Sequence, residues 1–185
     1  ALVLGTKAKV RGVHLDSLQG DIMFIKLLER MGADITDEDD GVLVDASLVT
    51  SFEGLDIDMQ DFSDQALTFA VVAAFATTPS VIRNVGHIRN QESNRVMVIK
   101  SELEKIGPKV EIKEYVNSDG KKQTDIYIVP DKLNGSEIET YDDHRVAMSF
   151  AIAGLKIENI IIENPLCCKK TFENYFDILD GISNI

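Results

Sequence analysis

The chain of 185 residues has no tryptophan and only two cysteines, Cys167 and Cys168, which are adjacent. Neighbouring cysteines do not bridge each other readily, and this pair lacks metal-ligand spacing. A disulfide scaffold and a thiolate metal site are therefore excluded, and idle thiols in a reducing cytoplasm are expected. Histidine occurs three times, and His87 and His144 stand too far apart for a recognised zinc motif, so no metal is expected. Glycine-rich phosphate loops are missing: Gly20 and Gly86 stand alone, with no GxGxxG or Walker-type run. No apolar run approaches the ~18 residues of a membrane span. Lys and Arg number 19 against 31 Asp and Glu, a formal charge of −12 that argues against nucleic acid as a partner. Local clusters of cations still leave room for a small phosphorylated ligand. The opening Ala1-Leu2-Val3-Leu4-Gly5 lacks the basic leader of a signal peptide. It reads as the tail of a helix, which suggests a piece of a longer polypeptide.

What is present is an internal repeat. Val10-Arg11-Gly12-Val13-His14, the polar Ser17-Leu18-Gln19-Gly20-Asp21, a helical stretch over residues 22–30 and Gly32 form one copy. Ile82-Arg83-Asn84-Val85-Gly86-His87, the polar Glu92-Ser93-Asn94-Arg95, a helical stretch over residues 96–105 and Gly107 form another. Each reads as strand, polar turn, helix and glycine stop, followed by two further strands, 33–36 and 41–44 in one copy, 109–112 and 125–129 in the other. Asn117-Ser118-Asp119-Gly120-Lys121-Lys122 is a hairpin turn, and 130–139 a polar connector.

A second helix type precedes the strands. Residues 64–76 and 143–153 are apolar on nearly every side and predict buried helices. The helix over 96–106 instead carries Lys100, Glu102, Glu104 and Lys105, a solvated face. The unit is thus buried helix, strand, amphipathic helix, strand, strand. The first copy lacks most of its buried helix. The third, with a strand at 159–162 and a helix at 171–179, lacks its closing strands. Three such units predict an α/β domain with three-fold pseudo-symmetry, helices inside and strands outside, the third unit incomplete.

The chemistry gathers at helix starts. Tyr141-Asp142-Asp143-His144-Arg145 places two carboxylates, an imidazole and a guanidinium in successive positions ahead of an apolar helix. Aligning the copies makes Asp64 the equivalent of Asp143, and Glu92 that of Lys170. Helix N-termini together with Arg95, Arg145 and Lys170 suit an anion, and Asp64 and Glu92 suit proton transfer. Each has an ordinary alternative. Asp64 and one of Asp142 and Asp143 can be N-caps, Glu92 and Arg95 a surface pair at i,i+3, and Lys169-Lys170 a solvated charge pair. The same kind of position is decorated four times, which favours function.

In this order, Asp64-Gln65-Ala66-Leu67-Thr68, Ile82-Arg83-Asn84-Val85, Gln91-Glu92-Ser93-Asn94-Arg95, Tyr141-Asp142-Asp143-His144-Arg145-Val146-Ala147-Met148 and Lys170-Thr171-Phe172 resemble the C-terminal half of the 5-enolpyruvylshikimate-3-phosphate synthases (3-phosphoshikimate 1-carboxyvinyltransferases). Ser17-Leu18-Gln19-Gly20-Asp21 also fits. The resemblance implies an inside-out α/β domain of βαβαββ units, with residues 1–185 forming the C-terminal domain of a cytoplasmic enzyme whose N-terminal domain is not in this sequence. It implies transfer of the enolpyruvyl group of phosphoenolpyruvate to the 5-hydroxyl of shikimate 3-phosphate, with phosphate released and no cofactor. Asp64, Glu92 and Lys170 would be catalytic. Arg95 and Arg145 would hold phosphoenolpyruvate, with His144 beside it and His87 and Gln91 as further substrate contacts. Gln91 stands where the family often has lysine, and His87 where many members have asparagine. Two other readings remain: a UDP-N-acetylglucosamine 1-carboxyvinyltransferase-like domain, against which the Asp-His-Arg run and Lys170-Thr171-Phe172 speak, and a binding domain of the same fold without catalysis.

Overall fold

The computed structural model describes residues 1–183. The strand and helix signals of the repeat resolve into three small sheets around buried helices. β1 (Lys7–Arg11), α1 (Met23–Arg30), β2 (Asp34–Glu38) and β3 (Gly41–Asp45) form the first unit. β4 (Asp56–Asp58), α2 (Ala66–Ala73), β5 (Ser80–Arg83), α3 (Arg95–Ile106), β6 (Lys109–Val116) and β7 (Lys122–Val129) form the second. β8 (Glu137–Ile138), α4 (His144–Gly154), β9 (Ile161–Ile162) and α5 (Tyr175–Ser183) form the third.

Strand pairing repeats along with the sequence. β1 and β2 flank β3 antiparallel, just as β5 and β6 flank β7. β4 runs parallel to β5, and β8 runs parallel to β9. The second unit is therefore a complete βαβαββ, and sheets of different copies do not merge as they would in a doubly wound fold.

Two leading strands were not legible in sequence. β4 is only three residues long, and β8 lies inside the expected polar connector. Each is placed by backbone contact rather than by a hydrophobic run. Gly54 and Gly135 both stand two residues ahead of their strand. A Cβ at Gly54 would lie 2.4 Å from the Pro79 carbonyl oxygen, and one at Gly135 would lie 2.3 Å from that of Glu158.

Alanine-rich α2 is buried along its whole length except at Thr68, and α4 packs against it. Thr68 and Ser149 share a hydrogen bond of 3.1 Å between the two helices, which satisfies both hydroxyls in an otherwise apolar contact. Beside α2 and α4, residues of α1 and α5 face each other across open space. An apolar groove lined by Phe24, Leu28, Val72, Ile152 and Leu155 lies there.

The amphipathic reading of α3 needs one correction. Lys100 and Glu104 pair on its outer face at 2.6 Å, but Glu102 is fully buried and faces the segment that follows β8. The helix expected at 171–179 begins later, at Tyr175, because residues 165–170 form a 3-10 turn that opens with Pro165. Cys167 and Cys168 are buried against α4 as free thiols, and burial pushes the Cys168 thiol up to about 12.

Candidate active site

Asn94 caps α3 by accepting from the Met97 N–H, and Asp143 caps α4 by accepting from the Arg145 N–H at 2.9 Å. The two helix starts meet through Arg95 and Asp143. Arg95, the first residue of α3, is only 1% exposed, and Asp143 is fully buried. The Arg95 Nε–H donates to Asp143 Oδ2 at 2.8 Å and an Nη2–H donates to its Oδ1 at 3.3 Å. The remaining donors reach Glu92 at 2.6 Å, Asp64 at 3.4 Å and the Gln91 carbonyl oxygen. All five N–H groups of the guanidinium are thus directed at acceptors. The alternative of a surface Glu92–Arg95 pair is corrected by this burial.

Asp143 is equally saturated. Ser93 Oγ–H donates to its Oδ2 at 2.9 Å, completing four bonds to the two oxygens. Burial alone would raise its pKa, but the Arg95 hydrogen bonds and charge outweigh that and hold the carboxyl below its ordinary value.

Asp64 sits in the 3-10 turn Gln60–Gln65 that leads into α2. It is not an N-cap: Gln65 precedes the helix, and its side chain makes no cap bond. The Asp64 carboxylate accepts instead from Arg145 at 2.9 Å, Gln91 at 3.1 Å and Arg95. Arg145 also reaches the Asp64 carbonyl oxygen at 3.3 Å. Gln91 both donates to Asp64 and accepts from Arg95, which a lysine in its place could not do. His87, in the turn Gly86–Asn90, meets Ser63 Oγ at 2.7 Å, next to Asp64.

His144 opens α4 and is buried. Its Nδ1 lies 3.9 Å from Asp143 Oδ1 and has no hydrogen-bond partner. Burial lowers its pKa below the ordinary value, with Asp143 and Glu92 opposing and Arg145 and Lys170 assisting, so the ring is neutral at pH 7. Lys170 lies exposed at the end of the Pro165–Lys170 turn, and its Nζ donates to the Asp142 carbonyl oxygen at 3.3 Å.

The turn before α4 is strained. Tyr141 and Asp142 have φ of 54° and 56°, and the Asp143 N–H closes back on the Thr140 carbonyl at 2.9 Å. Two left-handed residues without a glycine resemble a type I′ turn and cost about 1–3 kcal/mol each.

The structure therefore links Gln91, Glu92, Asp143 and Arg145 in one network through Arg95 and Asp64, with His144 and Lys170 on the α4 side and His87 on the α2 side. Sequence reasoning missed Ser93 and Glu102 as members of this assembly. The signal for Glu102 lay in its spacing from Arg95, seven residues and so on one face of α3, and that for Ser93 in the polar run Glu92-Ser93-Asn94-Arg95. Arg95 and Arg145 are committed to carboxylates rather than aimed at open space. Three acidic groups offset the three cations, leaving a nearly neutral rim on a strongly acidic chain. Among the described residues, no cluster of three or more His, Cys, Asp or Glu could hold a metal ion, and no helix is long and apolar enough to cross a membrane.

Helices inside, small sheets outside and an ion-paired rim at the helix starts define an enolpyruvyl transferase-type domain. The fold is similar to the crystal structure of the enolpyruvyl transferase NikO from Streptomyces tendae, with a TM-score of 0.66 and 18% identity, covering 97% of this chain and 40% of that one. The chain belongs to the EPSP synthase (3-phosphoshikimate 1-carboxyvinyltransferase) family, whose model matches residues 1–179. It is 41% identical over 176 residues to the 3-phosphoshikimate 1-carboxyvinyltransferase of Nostoc punctiforme, covering 95% of this chain. It is 40% identical to the 3-phosphoshikimate 1-carboxyvinyltransferase 2 of Nicotiana tabacum and 39% identical to the Methanosphaerula palustris enzyme. The chain spans 39%, 53% and 40% of the lengths of these three relatives, respectively.

Proposed function

We propose that this chain is the C-terminal domain of an enzyme that joins the enolpyruvyl group of phosphoenolpyruvate to the 5-hydroxyl of shikimate 3-phosphate, releasing phosphate. The observation that carries the reading is the single network in which Asp64, Glu92, Arg95 and Arg145 meet beside His144 and Lys170. Family membership and the relatives' names support the substrates.

In this reading Asp64 takes the proton of the 5-hydroxyl as its oxygen attacks C2 of phosphoenolpyruvate. Glu92 or Lys170 delivers a proton to the C3 methylene, giving a tetrahedral adduct. Loss of a C3 proton to the same group and cleavage of the C2–phosphate bond then restore the double bond and release phosphate. Arg145 and Arg95 bind the carboxylate and phosphate by exchanging Asp64 and Glu92 for the ligand, which also frees those carboxylates for proton transfer. Neutral His144 lies next to this anion site, and its unpartnered Nδ1 is a further polar group there. Gln91 and His87 contact the shikimate side. The rim belongs to one domain, and closing it from water requires the other.

Phosphate release by the complete polypeptide tests the reading. Turnover is expected with phosphoenolpyruvate and shikimate 3-phosphate, and not with UDP-N-acetylglucosamine as acceptor. The reverse preference would assign the chain to the sugar-nucleotide branch. Binding of both ligands with no turnover would leave a non-catalytic domain of this fold.

A further inference from the structure

The geometry points to Glu102 as a positioning residue that acts on the site through Tyr141, by holding the left-handed turn on which Asp142 and Asp143 are presented. This rests on the functional reading above. Glu102 touches none of the residues assigned to substrate. It lies seven residues beyond Arg95 on α3, so the two side chains leave the same face of the helix two turns apart. Arg95 grips Asp143, and Glu102 grips Tyr141, whose hydroxyl donates to Glu102 Oε1 at 2.9 Å. One helix face therefore clamps both ends of the strained segment.

The rest of the Glu102 carboxylate is fixed just as firmly. Its Oε2 accepts from the Glu139 N–H at 3.0 Å and from Lys105 Nζ at 2.7 Å, and Ser101 Oγ–H donates to Oε1 at 3.2 Å. Tyr141 stays a donor, because burial and the Glu102 charge raise its pKa. Residues 139–141 thus hang from one buried carboxylate. The next carbonyl, that of Asp142, receives the Lys170 ammonium, and the next carboxylate, that of Asp143, receives Arg95. A turn without glycine has no intrinsic preference for this shape, so the hold on Tyr141 sets where Lys170 and the α4 start stand.

The complete polypeptide carrying Tyr141→Phe, Glu102→Gln or Lys100→Met tests this. Two properties are read: kcat against KM, and the NMR titration of His144, assigned by its loss in His144→Asn. His144 is faced by Asp143, Glu92, Arg145 and Lys170, so it reports their positions without any substrate. Tyr141→Phe and Glu102→Gln are expected to lower kcat roughly tenfold with little change in KM, and to shift the His144 midpoint. Lys100→Met removes an ion pair from the outer face of the same helix without touching Glu102 or Tyr141, and is expected to change neither. An unmoved titration in Tyr141→Phe, a moved titration with parental kcat, or equal losses in Lys100→Met would each overturn the proposal. If the parent shows no turnover, the functional reading fails, and the titration alone still decides whether Glu102 holds the turn.

Discussion

At the scale of single residues, Arg95 and Asp143 carry most of the site's order. Their pairing is buried, and removing one partner leaves an uncompensated charge. Arg95→Leu is therefore expected to destabilise the fold by about 3–5 kcal/mol, measured by urea unfolding. A loss below ~1 kcal/mol would mean that Asp143 finds another partner or takes up a proton. Acid sensitivity follows from the same pair. The folded pKa of Asp143 is depressed, so its contribution is present above the ordinary carboxylate value and is lost as pH falls through the lower, folded value. His144 adds an earlier step. Its folded pKa lies below the ordinary 6.5, so its contribution is complete above 6.5 and declines as pH drops from there toward the folded value. Stability should decline as pH drops below about 6.5 and fall further below about 4. His144→Asn should remove the first step only. The residue types at the site were readable from the chain. Their bonding was not, because Asp64 looks in sequence like any helix cap and is in fact held by Arg145, Gln91 and Arg95.

At the scale of elements, the second and third copies share a rule that composition does not announce. A short parallel strand enters beside each of β5 and β9, and a glycine two residues earlier lets the backbones touch. Gly54→Ala and Gly135→Ala should each destabilise by about 1–3 kcal/mol, since the added Cβ meets carbonyl oxygens that cannot move freely. Thermal unfolding of both variants checks this, and a loss at only one position would break the equivalence of β4 and β8. Buried α2 and α4 were legible, because helices that are apolar on all sides have nowhere else to go. The start of α5 was not, because Thr171 and Asn174 are both residues that can cap a helix, and sequence does not choose between them. Glu102 was misplaced for a related reason. Helical periodicity gives a face, but whether a glutamate on it meets water or a tyrosine depends on the segment after β8.

At the scale of the whole molecule, the charge of −12 and the local balance of the rim describe different things. In the proposed function, a small anion is repelled from the surface at long range and bound only where arginines exchange partners. That exchange needs a second wall to exclude water and competing ions. This chain alone is accordingly expected to turn over at least ~10²-fold more slowly than the same chain supplied with an N-terminal half in trans, by phosphate release. Comparable rates would mean that the rim in this domain suffices.

Sequence alone determined the buried character of α2 and α4, the repeat and the family. Those depend on periodicity and residue type, which are local. Tertiary structure decided the rest: that Arg95 is sealed inside with all its donors used, that Asp143 rather than Asp142 is the keystone, and that Glu102 faces inward to Tyr141. Each of these depends on which groups, tens of residues apart, are brought within 3 Å of one another in low dielectric. Pairing there settles whether a charge is a solvated decoration or part of a site.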